Sequence, residues 1–202
     1  MTEKLMLTPI LLASGSAARR MLLRQAGVEY RALSTDVDEA ALKASLPALE
    51  PGELALALAA AKAGFVSSRN PDALVIGADQ LLVCEGRRFD KPRDGEEAAR
   101  HLRFLSGRMH RLVTAVCVHR AGEQLWSHVA EAQLTMRSLS DAFLANYLAA
   151  EGKEVLGSVG AYRLEGRGAQ LFTQIEGDFF TVLGLNLLPL LAFLREAGAL
   201  PA

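Results

Sequence analysis

Cysteine is scarce in this chain of 202 residues: Cys84 and Cys117 are the only two, and neither belongs to a CxxC pair. A disulfide framework and a cysteine-built zinc site are therefore not expected, and a reducing cytosol is the expected compartment. Neither sign of charge is in excess. The formal net charge is −1, which argues against extended nucleic acid as a partner, because binders of the phosphate backbone carry a basic surplus. It leaves room for one local basic pocket. Long apolar runs are lacking as well. Residues 183–194 fall short of the roughly 20 needed to span a bilayer. Residues 5–13 lack the basic flank and cleavage pattern of a signal peptide. No membrane partner is expected. The GxxxxGK[ST], HExxH and GxSxG signatures are all missing. The histidines at 101, 110, 119 and 128 have no ligand spacing, and their nine-residue interval fits neither a helix nor a strand.

What is present is an apolar chain, half of it hydrophobic, enough for a sizeable core in one domain or two closely joined lobes. The pattern predicts a strand over Leu5–Ala13, a helix over Ala18–Gln25 closed by Gly27, and a strand over Val28–Ser34. An acidic turn at 36–39 follows. Pro51-Gly52 punctuates the chain, and Glu53–Ser68 reads as a strong Ala- and Leu-rich helix. Residues 74–78 read as a strand that ends at Asp79-Gln80, and residues 81–84 continue as strand. Asp94 and Glu97 fit a capping box for a helix to Leu105. Two long strands, 112–119 and 124–136, flank the Ala121-Gly122 turn. Ser140 caps a helix to Ala150, Gly157–Gly168 is irregular, residues 169–175 form a strand, and Gly184 onward becomes the last helix, ending near Ala197-Gly198, in which Pro189 is tolerable only in the first turn. Helices alternate with strands early and a long hairpin fills the middle. This predicts an α/β fold with a mixed sheet rather than a purely parallel one.

The stretch Ser14-Gly15-Ser16 with Arg19 and Arg20 stands where the first strand turns into the first helix. Small residues let a backbone approach a ligand, helix-start N–H groups favour an anion, and a guanidinium grips phosphate oxygens. The same residues also suit an ordinary turn with solvated arginines. Asp79 follows an apolar strand directly, and ligands gather at the carboxyl ends of strands in α/β sheets. A carboxylate there serves as metal ligand, general base or turn-former. Glu39 reads as a second hard oxygen donor or a solvated turn residue. Lys62, on an otherwise apolar helix, reads as a phosphate ligand or a snorkelling lysine. Lys91, before a proline, reads as a phosphate ligand or a surface charge. Together the set supplies what a triphosphate with Mg²⁺ needs: cations for the phosphates and carboxylates for the metal.

The order of these segments resembles the Maf family, nucleotide pyrophosphatases also called septum-formation inhibitors. The resemblance is carried by Leu12-Ala13-Ser14-Gly15-Ser16 with Arg19-Arg20, Asp38-Glu39, Ala61-Lys62-Ala63, Ile76-Gly77-Ala78-Asp79-Gln80 and Lys91-Pro92-Arg93-Asp94. Leu105-Ser106-Gly107, Thr114-Ala115-Val116, Gly160-Ala161-Tyr162, Glu165-Gly166-Arg167-Gly168 and Val182-Leu183-Gly184-Leu185 continue it. It implies a single elongated α/β domain with a central cleft, and a cytosolic, metal-dependent enzyme, often dimeric. The enzyme would cut a nucleoside triphosphate between its α and β phosphates. By position, the resemblance makes Asp79 the proton acceptor and a metal ligand, Glu39 a second metal ligand for Mg²⁺ or Mn²⁺, and Ser14, Arg19, Lys62 and Lys91 the phosphate ligands. Family members acting on dTTP and UTP have Arg, Thr and Gln where this chain has Ala18, Gln80 and Glu165. Gln80 and Glu165 resemble the 7-methyl-GTP branch, which usually has Trp at the place of Ala18. A carboxylate suits a guanine ring made cationic by methylation at N7. Ala18 leaves room for broader specificity, including dTTP and UTP. A nucleotide-binding regulator of cell division without turnover is the competing expectation.

Overall fold

The computed structural model describes residues 8–201. Seven strands hydrogen-bond in the order β2-β1-β3-β5-β6-β7, with β4 added on β3. These are β1 (Ile10–Leu12), β2 (Arg31–Ala32), β3 (Leu74–Cys84), β4 (Arg87–Phe89), β5 (Met109–Arg120), β6 (Glu123–Met136) and β7 (Phe172–Glu176). β1 runs parallel to β2 and β3, whereas β3–β4 and β6–β7 are antiparallel. The sheet is mixed, as the alternation of elements predicts. The chain divides into two compact units, with β3, β5 and β6 each contributing one part to either unit.

The first unit comprises residues 8–79, 114–129 and 184–201 of those described. Its helices are α1 (Ala17–Gln25), α2 (Glu39–Ser45), α3 (Pro51–Ser67) and, near the C-terminus, α7 (Leu187–Glu196). α1 starts where Ser16 accepts a hydrogen bond from the Arg19 N–H, and it ends before Gly27 at φ +72°, the left-handed position that glycine adopts without steric cost. α3 begins at Pro51, whose missing N–H costs nothing in a first turn, and a Glu50–Glu53 capping box closes that end. Its buried residues, Leu54, Leu58, Lys62 and Val66 with Ala55, Ala59, Ala63 and Ser67, form one helical stripe at three- and four-residue spacing. β1 and β3 are buried along their whole described length in this unit, as expected for a parallel sheet covered on both faces.

The second unit comprises residues 80–113 and 130–183. It holds α4 (Gly95–Leu105), α5 (Asp141–Glu151), the short α6 (Phe179–Val182) and three 3₁₀ turns between Gly152 and Leu171. Leu82, Leu102, Leu134, Met136, Tyr162 and Leu171 belong to its continuous core. Asp94 accepts from the Glu97 N–H at 2.8 Å, as the capping box predicts.

Several boundaries differ from the expectations. The first strand is described only from Ile10 to Leu12, and residues 5–7 of the expected run lie outside the described residues. β2 has two residues rather than seven, because it can pair only along the three-residue β1. The acidic segment 36–39 leads into α2, which starts at Glu39: Asp38 Oδ1 accepts from the Ala41 N–H at 2.9 Å, so the aspartate caps a helix. The expected strand over 169–175 begins at Phe172, after a 3₁₀ turn.

Candidate active site

Parallel register fixes the first part of the site. Leu12 lies opposite Ile76, and the Ala13 N–H donates to the Ile76 carbonyl at 2.8 Å. The chain then leaves β1 through Ser14-Gly15-Ser16, while β3 continues through Gly77, Ala78 and Asp79 to Cys84, so Asp79 lies inside the strand and not at the strand end expected from the sequence. Ser14 Oγ accepts from the Ser16 N–H at 3.2 Å and from Arg19 Nη1 at 3.1 Å. Arg19 also donates from Nη1 to the Ala78 carbonyl at 2.9 Å and from Nε to the Gly184 carbonyl at 2.7 Å. Three of its donors are thus committed to protein oxygens. Arg20, the next residue, is exposed. The paired arginines divide between the two sides of α1. Among the described residues, and its chain neighbours aside, a Cβ added at Gly15 would meet no atom within 4 Å, so these residues leave the space over this turn open to a ligand.

Close packing of α3 on β3 fixes the second part. A Cβ at Gly77 would lie 2.2 Å from the Ala59 carbonyl oxygen and 2.8 Å from Ala63 Cβ. Only glycine allows the helix to approach this far. Lys62, next to Ala63 on the buried stripe, thereby reaches Asp79, two residues after Gly77. Lys62 Nζ is 2.5 Å from Asp79 Oδ1 and 2.9 Å from Glu39 Oε1. Glu39 is the first residue of α2.

Ser14, Arg19, Lys62 and Asp79 are 8, 8, 7 and 6% exposed, while the Glu39 side chain is 42% exposed. Buried charge is tolerated when paired or when it holds a metal. Burial pulls the Arg19 guanidinium below its ordinary value, offset in part by the charges of Asp79 and Glu39; it stays cationic, since arginine does not lose its proton in proteins. By formal charge, two cations face two carboxylates, so the cluster has no positive surplus with which to hold a polyanion. A divalent cation would supply one. Mg²⁺ is held through one or two carboxylates together with substrate phosphates and does not need an all-protein cage. Asp79 and Glu39, whose oxygens converge on a single cationic atom, fit that donor set. Among the described residues no group of three or more His, Cys, Asp or Glu is placed to hold a metal.

Five of the predicted site residues, Ser14, Arg19, Glu39, Lys62 and Asp79, are therefore close neighbours in the first unit. Ala18, half-buried, is in the first turn of α1. Lys91, Gln80 and Glu165 belong to the second unit. Lys91 is exposed after β4. Gln80 Nε2 donates to the Thr181 and Val182 carbonyls at 2.9 and 3.1 Å. Glu165 pairs with Arg163 Nε at 3.4 Å, and Arg163 also pairs with Glu154 at 3.1 Å. Sequence reasoning did not find the carbonyls of Ala78 and Gly184 as anchors of Arg19. A carbonyl is common to every residue and leaves no trace in composition, although both residues lie inside segments that carry the resemblance.

A family model described as Maf-like protein matches residues 9–197. A 7-methyl-GTP pyrophosphatase of Rhizobium meliloti (strain 1021) is 52% identical over 195 residues, covering 96% of this chain and 98% of that protein. A nucleoside triphosphate pyrophosphatase of Granulibacter bethesdensis is 52% identical over 193 residues, covering 95% and 98%. A 7-methyl-GTP pyrophosphatase of Mesorhizobium japonicum is 51% identical over 202 residues, covering 99% of each.

Proposed function

The chain belongs to the Maf family, and from that premise we propose that it is a hydrolase converting nucleoside triphosphates to monophosphate and pyrophosphate, with a preference for 7-methyl-GTP. The observation that carries this reading is the contact of Asp79 with Lys62, beside Glu39 and next to the Arg19-bound Ala78. A carboxylate held against the Lys62 ammonium within β3 is placed to take a proton where negative charge must also be offset.

In the reaction, the oxygen of water bonds to the α-phosphorus and its proton passes to Asp79. The bond from that phosphorus to the α–β bridging oxygen breaks, and the electron pair leaves with pyrophosphate. Lys62, Arg19, Ser14 and Lys91 offer donors to the phosphate oxygens, which keeps the chain in line for attack. Asp79 and Glu39 would hold a Mg²⁺ or Mn²⁺ ion, whose charge offsets that of the phosphates. Glu165 accepts from the N–H groups of the base and offsets the positive charge of an N7-methylated ring. The relatives named above, two of them 7-methyl-GTP pyrophosphatases, support this preference. A cytosolic homodimer completes the proposal, to be checked by light scattering on the purified chain.

Turnover of 7-methyl-GTP and dTTP, followed by pyrophosphate release with and without Mg²⁺, tests the reading. The wild type is expected to favour 7-methyl-GTP, and Glu165→Gln to narrow that preference by about tenfold, the scale of one charge-assisted hydrogen bond. Equal or better dTTP turnover in the wild type would reject the preference. A chain that binds nucleotide without releasing pyrophosphate would be a binder rather than an enzyme.

A further inference from the structure

Lys62 touches both carboxylates that the proposed function gives to a divalent cation. Its ammonium is 2.5 Å from Asp79 Oδ1 and 2.9 Å from Glu39 Oε1. A Mg²⁺ ion bound by the same oxygens lies about 2.1 Å from each. An ammonium and a divalent ion held so close to the same two oxygens repel strongly. Lys62 must therefore leave its carboxylates when a metal takes them. Its side chain is only 8% exposed and its backbone is fixed on the buried stripe of α3. Released from the carboxylates, the ammonium would be a buried charge without an opposite charge, which is costly unless another anion meets it. The phosphates of a bound nucleotide are that anion, and the flexible four-carbon stem of lysine permits the move. The two carboxylates are also unequal. Asp79 is buried on β3, whereas Glu39 is partly exposed at the start of α2, so Glu39 is the partner with room to adjust.

We propose that Lys62 is an exchangeable counter-ion: it holds Asp79 and Glu39 until a triphosphate offers it new oxygens, so that metal and nucleotide enter together and metal alone binds poorly. This rests on reading Asp79 and Glu39 as the metal-holding pair. It makes Lys62 a gate as well as a phosphate ligand, and protects the site against divalent cations in the absence of substrate.

The test uses the full chain and Mn²⁺ as the probe, with free ion followed by electron paramagnetic resonance. Titrations are run with and without an α,β-methylene triphosphate analogue that cannot be hydrolysed. Without the analogue, Lys62→Gln is expected to bind Mn²⁺ about tenfold or more tightly than the wild type, and Lys62→Arg to remain weak. The analogue should remove most of the difference. Should Lys62→Gln fail to fold, the ¹⁵Nζ resonance of Lys62 in the wild type decides. It should stay in place with Mg²⁺ alone and move when Mg²⁺ and the analogue are added together. Wild type that binds Mn²⁺ alone as tightly as Lys62→Gln, or a Lys62 signal that moves with Mg²⁺ alone, overturns the exchange while leaving the metal pair intact. No Mn²⁺ binding to either protein under any condition overturns the metal pair and the exchange with it.

Discussion

Lys62, Asp79 and Arg19 in the first unit and His110, Tyr147 and Tyr162 in the second are all buried titratable side chains, yet they meet burial in opposite ways. In the first unit each of these charges has an opposite charge, or two carbonyls and a hydroxyl, against it at 2.5 to 3.1 Å. In the second unit no opposite charge faces the ring of His110. Its Nε2 shares a hydrogen bond of 2.7 Å with the Tyr162 hydroxyl, and Phe172 packs against both rings. Burial pushes His110 down to about 4 and the Tyr162 and Tyr147 hydroxyls up, so all three stay neutral near pH 7. Pairing keeps charge available for chemistry; isolation removes it and leaves packing. The difference separates a site from a core, although both contain buried polar groups.

The comparison is tested most severely at Asp79. Asp79→Asn should lower pyrophosphate release by about 10³-fold, about 4 kcal/mol of barrier, while a methylene analogue still binds. Single-turnover kinetics and a binding titration on the same variant check this. Retained turnover would remove the carboxylate from the chemistry.

The second unit should respond through stability instead. The ordinary histidine value of about 6.5 applies to the unfolded chain, and about 4 to the folded one. Between these values the unfolded chain takes up the proton and the folded chain does not. The contribution of His110 is therefore fully present above about 6.5 and is lost as pH falls towards 4. The loss by pH 5 is about 2 kcal/mol. Urea unfolding at pH 7 and pH 5 should show a smaller acid loss for His110→Gln than for the wild type, and equal losses would contradict the assignment.

Gly77→Ala links the two regimes, because it places a methyl group against the Ala59 carbonyl. Such overpacking costs about 2 kcal/mol. The shift of α3 should also loosen the Lys62–Asp79 contact, so turnover should fall along with the unfolding temperature. Lost stability with unchanged turnover would uncouple the helix approach from the site. Arg103→Ala is the control with the smallest effect. It removes an exposed pair with Asp141 at 3.2 Å, and its effect on denaturant stability should stay within about 0.5 kcal/mol.

Much of this arrangement was legible in the order of residues. A strand stopping before Ser14, a helix carrying Arg19, an apolar helix interrupted by Lys62 and an apolar run leading to Asp79 are local patterns, each read within a dozen positions, although β3 does not stop at Asp79 but runs on to Cys84. Glu39 was legible as a donor but not as the first residue of a helix, because an aspartate before it suits a turn and an N-cap equally well. The partners of Arg19 were not legible, since they are backbone carbonyls separated from it by 59 and 165 positions. The histidines spaced by nine illustrate the reverse. Their regular interval is conspicuous in the sequence and marks no repeated element, as His101 lies on α4, His110 and His119 near opposite ends of β5, and His128 on β6.

By itself, the sequence determined which side chains carry charge on otherwise apolar elements and where capped helices such as α1 and α4 begin, because periodicity and capping are set by neighbours along the chain. Only the tertiary structure decided that Lys62 meets Asp79 and Glu39 together. That meeting depends on how closely α3 can lie on β3, which the absence of one Cβ at Gly77 permits and no local pattern encodes.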